Sequence, residues 1–245
     1  MAERERRQQL AATVATIQAR WGPRAIVSAR EAARLPVLPS GIAALDEMLG
    51  TGGVPQGQLT ELIGYGTAGH VRVAAGVLAQ AQCAGQQAVY VDVGAQVDVA
   101  ALSRWGVRLS RLAILRASDL LQGLAMTGDL LRAGYGGAVV FDRLYAQQVS
   151  ADGHALSSLQ QALRDWLPRL SRSSGTLLML TETAMPGIYP DGLPMPFSAD
   201  LRLLCERERW LVRRQQIVGY LSRITVLKNR AGTQEGSLTV DITVA

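Results

Sequence analysis

The residues that most constrain this chain run from Gln58 to Ala84. An apolar, strand-length segment (58–63) leads into a turn bracketed by Gly64 and Gly69. A long apolar-faced stretch (70–84) follows and reads as a helix. Strand, glycine turn and helix form the layout that cradles phosphate, because the turn amides and the helix N-terminus both point N–H donors at an anion. The two glycines are spaced G-x-x-x-x-G, and the motif then calls for Lys followed by Ser or Thr. Here His70 and Val71 stand in those places. The backbone cradle is kept, while the side chains that handle phosphate and magnesium are absent.

The neighbouring segments extend this into an α/β pattern. AVYVDV (88–93), GAVVFD (137–142) and TLLMLT (176–181) are nearly continuous apolar runs, as expected of parallel strands buried on both faces. A short strand is expected at 112–115. Helices are predicted over 99–105, over 120–133 behind a Ser118 or Asp119 cap, and over 156–172. The last of these turns Leu156, Leu159, Leu163, Trp166, Leu167 and Leu170 inward. Ser40 is placed to cap a helix over 42–49. Residues 184–197 carry four prolines and read as an irregular loop. Beyond it, 200–206, 220–228 and 237–244 read as strands with no helix between them. The predicted fold class is α/β, a mostly parallel central sheet flanked by helices with an antiparallel C-terminal extension.

Residues 1–21 read as a helix with Leu10, Val14, Ile17 and Trp21 on one face, followed by an extended link with Pro36 and Pro39. The helix either docks on its own domain or serves as an exchanged arm for self-association. The expected organisation is therefore an arm (1–39) and a core domain (40–245).

Composition excludes several classes. The chain has 245 residues, 48% of them hydrophobic, which suits a globular domain rather than a disordered one. No apolar run reaches the ~18 residues of a membrane span. The charged N-terminus has no apolar stretch after it, so a secretory signal is not expected and a cytoplasmic location is. Cys83 and Cys205 read as reduced core residues. His70 and His154 are the two histidines, far apart and without nearby ligands, so no metal site is expected. A formal net charge of +5 suits a polyanionic partner only weakly.

Several stretches together carry a family resemblance: WGPRAI, LPSGIAALDEMLGTGGVPQGQLTELIG, AVYVDV, GAVVFD, TLLMLTE, FSADLRLLCERE and ITVLKNR. In this order they resemble the core of RecA, the strand-exchange recombinase, over nearly the whole chain. The sequence ends soon after the last strand, so RecA's small C-terminal domain is not expected. The resemblance implies a degenerate nucleotide site made of Gly64, Gly66, Gly69, His70, Val71 and Asp142. Asp142 matches the Walker B aspartate. His70 and Val71 replace the lysine and threonine of the family, Gly94 falls where its water-orienting carboxylate belongs, and Thr183 falls at its polar sensor. Phosphoryl transfer depends on positioning and charge stabilisation. The combined losses predict a pseudo-ATPase with no catalytic residues and no required cofactor. Residual ATP binding through the turn amides stays open.

The resemblance also implies further sites. Lys228, Asn229 and Arg230 match a basic-Asn-basic triplet that in RecA reaches the neighbouring protomer's ATP, so they are candidates for a trans-interface or an acidic partner. The two DNA loops of RecA fall at 143–154 and 184–197. Arg143, Tyr189, Phe197 and Arg202 are thus candidate contacts to single-stranded DNA, beside a cluster of arginines in 202–214. Among RecA relatives, a degraded nucleotide site without the C-terminal domain resembles ImuA, the accessory of a Y-family-like translesion polymerase partner. The implied role is DNA repair in the SOS response to DNA damage, through that partner and RecA, with weak DNA binding. Two alternatives stand beside it: an active DNA-dependent ATPase with a nonstandard turn, and a non-enzymatic regulator of RecA filaments or of cell division.

Overall fold

The computed structural model describes residues 2–21 and 36–243. The chain divides into two units, Met1–Leu35 and Pro36–Ala245. In the first, α1 (Ala2–Trp21) is the predicted helix. Leu10 on its expected apolar face is exposed, while Val14 and Ile17 are half-buried. Residues 22–35, which hold most of the WGPRAI segment and of the predicted link, lie outside the described residues.

The second unit is built on an eight-stranded sheet in the order β10–β9–β8–β3–β7–β6–β4–β5. Its parallel part comprises β3 (Leu59–Gly64), β4 (Ala88–Val93), β5 (Leu112–Ala117), β6 (Ala138–Tyr145), β7 (Thr176–Glu182) and β8 (Leu201–Arg213). The strands β9 (Gln216–Asn229) and β10 (Ser237–Thr243) add the antiparallel extension. This is the fold class expected from the sequence. Every residue of β3 and of β4 is buried, the outcome of covering a parallel sheet on both faces. Alternate side chains divide between two cores. Leu62, Tyr90, Val140 and Leu180 pack with the helix α3 (His70–Cys83). Leu59, Val91, Phe141 and Met179 pack on the opposite face with Leu159, Leu163, Trp166 and Leu170 of the helix α7 (Gly153–Leu170).

The remaining elements of this unit are a two-stranded pairing of β1 (Val37–Leu38) with β2 (Val54–Pro55) and the helices α2 (Ala43–Met48), α4 (Val99–Arg104), α5 (Leu120–Arg132), α6 (Ala146–Ala151) and α8 (Met195–Ser198). Asp119 caps α5 by accepting from the Gln122 N–H. No helix among the described residues is long and apolar enough to cross a membrane.

Several expectations need correction. Ser40 does not cap α2; its hydroxyl accepts from Ile42 N–H, and Asp46 reaches back to the Ser40 N–H at 2.8 Å. Residues 143–154 are not a loop. The β6 strand runs on to Tyr145, α6 follows directly, and Asp152 caps α7 by accepting from the amides of His154 and Ala155. Strands β8 and β9 are longer than expected: β8 runs on past β3 through a charged stretch (206–213) and pairs with β9 as a hairpin. Cys83 is exposed at the end of α3, whereas Cys205 is buried in β8, where burial pushes its thiol up to about 12.

Candidate functional site

The C-terminal ends of parallel strands are where α/β sheets bind ligands, and here they open into a cleft of about 450 Å³. Its walls include the glycine turn, Val71, Tyr90, Gln96, Trp105, Asp142, Arg143 and Tyr220. The turn leaves β3 at Gly64 and enters α3 after Gly69, whose φ of 106° favours glycine. A Cβ on Gly69 would lie 2.6 Å from the Ser222 hydroxyl, which donates to the Ala68 carbonyl at 2.6 Å. The β9 strand thus clamps the turn from behind.

His70 borders the cleft but does not extend across it as a phosphate-binding lysine would. Its ring folds back against Gly64, where any Cβ would overlap it, and only 1% of the residue is exposed. Val71 is half-buried and packs on the core. Asp142 is also committed. Tyr90 donates its hydroxyl to Oδ2 at 2.6 Å, and Arg143 Nε donates to Oδ1 at 3.0 Å. Burial and then the Asp142 charge hold the Tyr90 hydroxyl well above its usual range, which keeps it a donor. At the position expected for a water-orienting carboxylate, Gly94 bonds its N–H to the Ala117 carbonyl. Nearby Asp92 accepts on one oxygen, Oδ1, from the amides of Gln96 and Val97.

Sequence reasoning missed Glu182. The register pairs Glu182 of β7 directly with Gly64 of β3. One Glu182 oxygen, Oε1, accepts from the Gly66 N–H in the middle of the turn. The other, Oε2, lies 3.5 Å from His70 Nε2 and 3.7 Å from Arg143 Nη1. Burial alone would raise the Glu182 pKa; the neighbouring His70 imidazole, the Gly66 amide and the Arg143 charge bring it below the ordinary carboxylate range. Thr183, the expected sensor, turns its hydroxyl to the carbonyls of Gly64 and Met185 instead. The signal for Glu182 was a carboxylate ending a buried strand, but only the sheet order reveals that this strand adjoins the turn. With no hydroxyl at Val71, Asp142 bonded on both oxygens and a carboxylate on the turn amide, the residues present do not fit a magnesium-bound nucleotide.

A second network was also missed. Glu61, in the middle of β3, is fully buried. It accepts from Thr181 Oγ1 at 2.8 Å, Tyr189 OH at 2.7 Å and Arg202 Nε at 2.6 Å. The Arg202 guanidinium also covers the Tyr189 ring at 4.8 Å. Burial and the Glu61 charge raise the Tyr189 hydroxyl far above its usual range. Two candidate DNA contacts, Tyr189 and Arg202, already have partners within the fold: Glu61 binds both, and the guanidinium covers one face of the ring. Arg143 faces the cleft rather than a DNA loop. Phe197 is 83% exposed and keeps a free ring.

The triplet divides in the same way. Asn229 is buried, donates to the Leu49 carbonyl and accepts from the amides of Ala231 and Gly232. Lys228 Nζ donates to the Pro196 carbonyl at 2.8 Å. Arg230 bonds Asp200 at 2.9 Å and the Phe197 carbonyl at 3.2 Å. Both cations bind the C-terminal carbonyls of α8 within their own chain, yet Arg230 remains exposed.

Residues 8–244 match the family model for the RecA N-terminal domain. The chain belongs to the RecA family. RecA of Symbiobacterium thermophilum is 30% identical over 212 residues, which is 79% of this chain and 61% of that protein. RecA 1 of Myxococcus xanthus is 28% identical over 247 residues, 92% of this chain and 72% of its own length. RecA of Chloroflexus aurantiacus is 28% identical over 247 residues, again 92% of this chain and 70% of that protein. The chain thus spans less than two thirds of the Symbiobacterium relative and a little more of the others.

Proposed function

We propose that this RecA-family chain is a catalytically silent accessory of DNA repair that acts through protein contacts. The observation that carries this reading is the sealed state of the site's chemical groups. His70 is turned inward, and Asp142 is bonded on both oxygens, one of them to Arg143, the cation beside it in the cleft wall, so the turn offers no lysine and Asp142 no unbonded oxygen to a bound nucleotide. Catalysis of phosphoryl transfer is almost entirely charge placement, and those charges are already spent inside the fold. The resemblance to ImuA supports a place beside a Y-family-like translesion polymerase in the SOS response, in the cytoplasm, with RecA as a second partner. Exposed Arg230 is the residue of the triplet best placed to meet a partner's acidic surface. Weak, salt-sensitive contact with single-stranded DNA falls to the hairpin arginines rather than to Tyr189 and Arg202. Among these, Arg207 already stacks on Trp210 at 4.2 Å.

The test is ATP turnover by the purified full chain, with and without single-stranded DNA. Absence of turnover in both conditions is expected. DNA-stimulated hydrolysis that disappears on changing Asp142 would instead establish the active-ATPase alternative.

A further inference from the structure

The glycine turn retains its donors, and one of them is already used. Gly66 points its N–H at Glu182 Oε1, while the imidazole of His70 and the guanidinium of Arg143 stand 3.5 and 3.7 Å from Oε2. A backbone amide, an imidazole and a guanidinium converging on one point are the groups that recognise a tetrahedral oxyanion. Here they converge on a carboxylate of the same chain.

Glu182 is held there by the sheet. It pairs in register with Gly64, and the next amide, Thr183 N–H, bonds the Gly64 carbonyl at 2.9 Å. The hold is incomplete, since Glu182 Oε2 and both His70 ring nitrogens lack a formed hydrogen bond, although Nε2 and Oε2 stand 3.5 Å apart. His70 is buried with both nitrogens unpartnered and lines the cleft. Such a buried group is under-satisfied and ready to accept a better ligand.

We propose that the glycine turn is an anion seat with a built-in occupant: the Glu182 carboxylate takes the place of a phosphate group, and neutralising it opens the seat to inorganic phosphate. This rests on the reading that the site no longer turns over nucleotide, and it gives that reading a physical cause. A negative carboxylate on the Gly66 amide both fills the donor and repels any incoming phosphate. The turn is thereby kept ordered with no ligand loaded, so partner contacts of this chain need not wait for nucleotide.

Two measurements test it on the full chain. In the wild-type protein, the Gly66 amide proton resonates far downfield and moves as Glu182 is protonated on acidification; an amide unaffected by that titration overturns the proposal. In the second, inorganic phosphate is titrated against wild type and Glu182→Gln at constant ionic strength, read by thermal unfolding and by phosphorus NMR line width. The variant is expected to gain saturable binding at least roughly tenfold tighter than wild type, since one nearby like charge has gone. Equal binding by the two proteins overturns it. Should Glu182→Gln fail to fold, the Gly66 titration in the native protein decides alone. ATP hydrolysis by wild type overturns the proposed function. No hydrolysis together with no phosphate gain in the variant overturns the seat alone.

Discussion

Two carboxylates on neighbouring strands, buried Glu61 of β3 and half-buried Glu182 of β7, differ in how fully they are satisfied. Glu61 accepts three hydrogen bonds, one of them from an arginine that is itself 11% exposed. Glu182 accepts one from a backbone amide and otherwise rests on two longer contacts, with the His70 imidazole and the Arg143 guanidinium. A fully satisfied buried network rigidifies a fold, whereas polar groups left unpaired away from water carry a cost that calls for an explanation. The first network fastens the 184–197 loop to the sheet through Tyr189. The second sits behind the glycine turn, against its Gly66 amide and beside two residues of the cleft wall, His70 and Arg143. Their difference separates architecture from a disused site within a few residues of the same sheet.

The most severe way to break the comparison is Arg202→Ala, which strands the fully buried Glu61 charge. Denaturant unfolding should report a loss of about 3–5 kcal/mol, in line with cutting one partner from a buried pair. A loss comparable to an exposed salt bridge would place Glu61 in the same class as Glu182. Next is Tyr90→Phe, which removes one hydrogen bond to a buried carboxylate. It should cost about 1.5–3 kcal/mol and leave ATP turnover absent; appearance of turnover would show that Tyr90 alone silences Asp142.

Glu182→Gln should cost less, about 0.5–1.5 kcal/mol, the range of an ordinary net hydrogen bond. Its pH dependence sharpens the contrast. The folded carboxylate titrates below its unfolded value, so the stability it adds is complete above the ordinary carboxylate range. That contribution fades as pH falls through the depressed folded value. The wild-type advantage over Glu182→Gln should therefore be constant at neutral pH and shrink only in acid. An advantage that grew on acidification would reverse the sign of this contact.

The smallest effect is expected at the surface. Reversing Arg230 to Glu should change stability by no more than about 1 kcal/mol, as for exposed ion pairs. The partner recovered by pull-down from DNA-damaged cells should nonetheless be lost. Retention of that partner would remove Arg230 from the proposed interface. Thiol labelling gives a control for all these variants: Cys83 should react in the native state and Cys205 only after unfolding.

The reach of the sequence can be judged residue by residue. The buried runs at 88–93, 137–142 and 176–181 announce themselves, because a parallel strand covered on both faces needs apolar side chains at almost every position. The glycine turn is equally plain, as its spacing encodes a backbone shape. The hairpin was foreshortened because its distal half, with Arg207, Arg209 and Arg213, carries charges that read as loop once the apolar pattern stops. The supposed DNA loop at 143–154 was misread for the opposite reason: polar residues there form the end of a strand and a short helix. The bonds of Tyr189 and Arg202 to Glu61 were not legible, because local sequence does not show which side chains a buried carboxylate more than a hundred residues earlier will meet.

By itself the sequence determined the α/β class, the position of the phosphate-type turn and the absence of a lysine and a hydroxyl at its end. Those properties depend on residue type and on spacing along a few turns of chain. Only tertiary structure decided what fills the turn and which polar groups remain free. That outcome depends on β7 lying beside β3 in a register that sets Glu182 against Gly64, and the order of strands across a sheet is not written in their order along the chain.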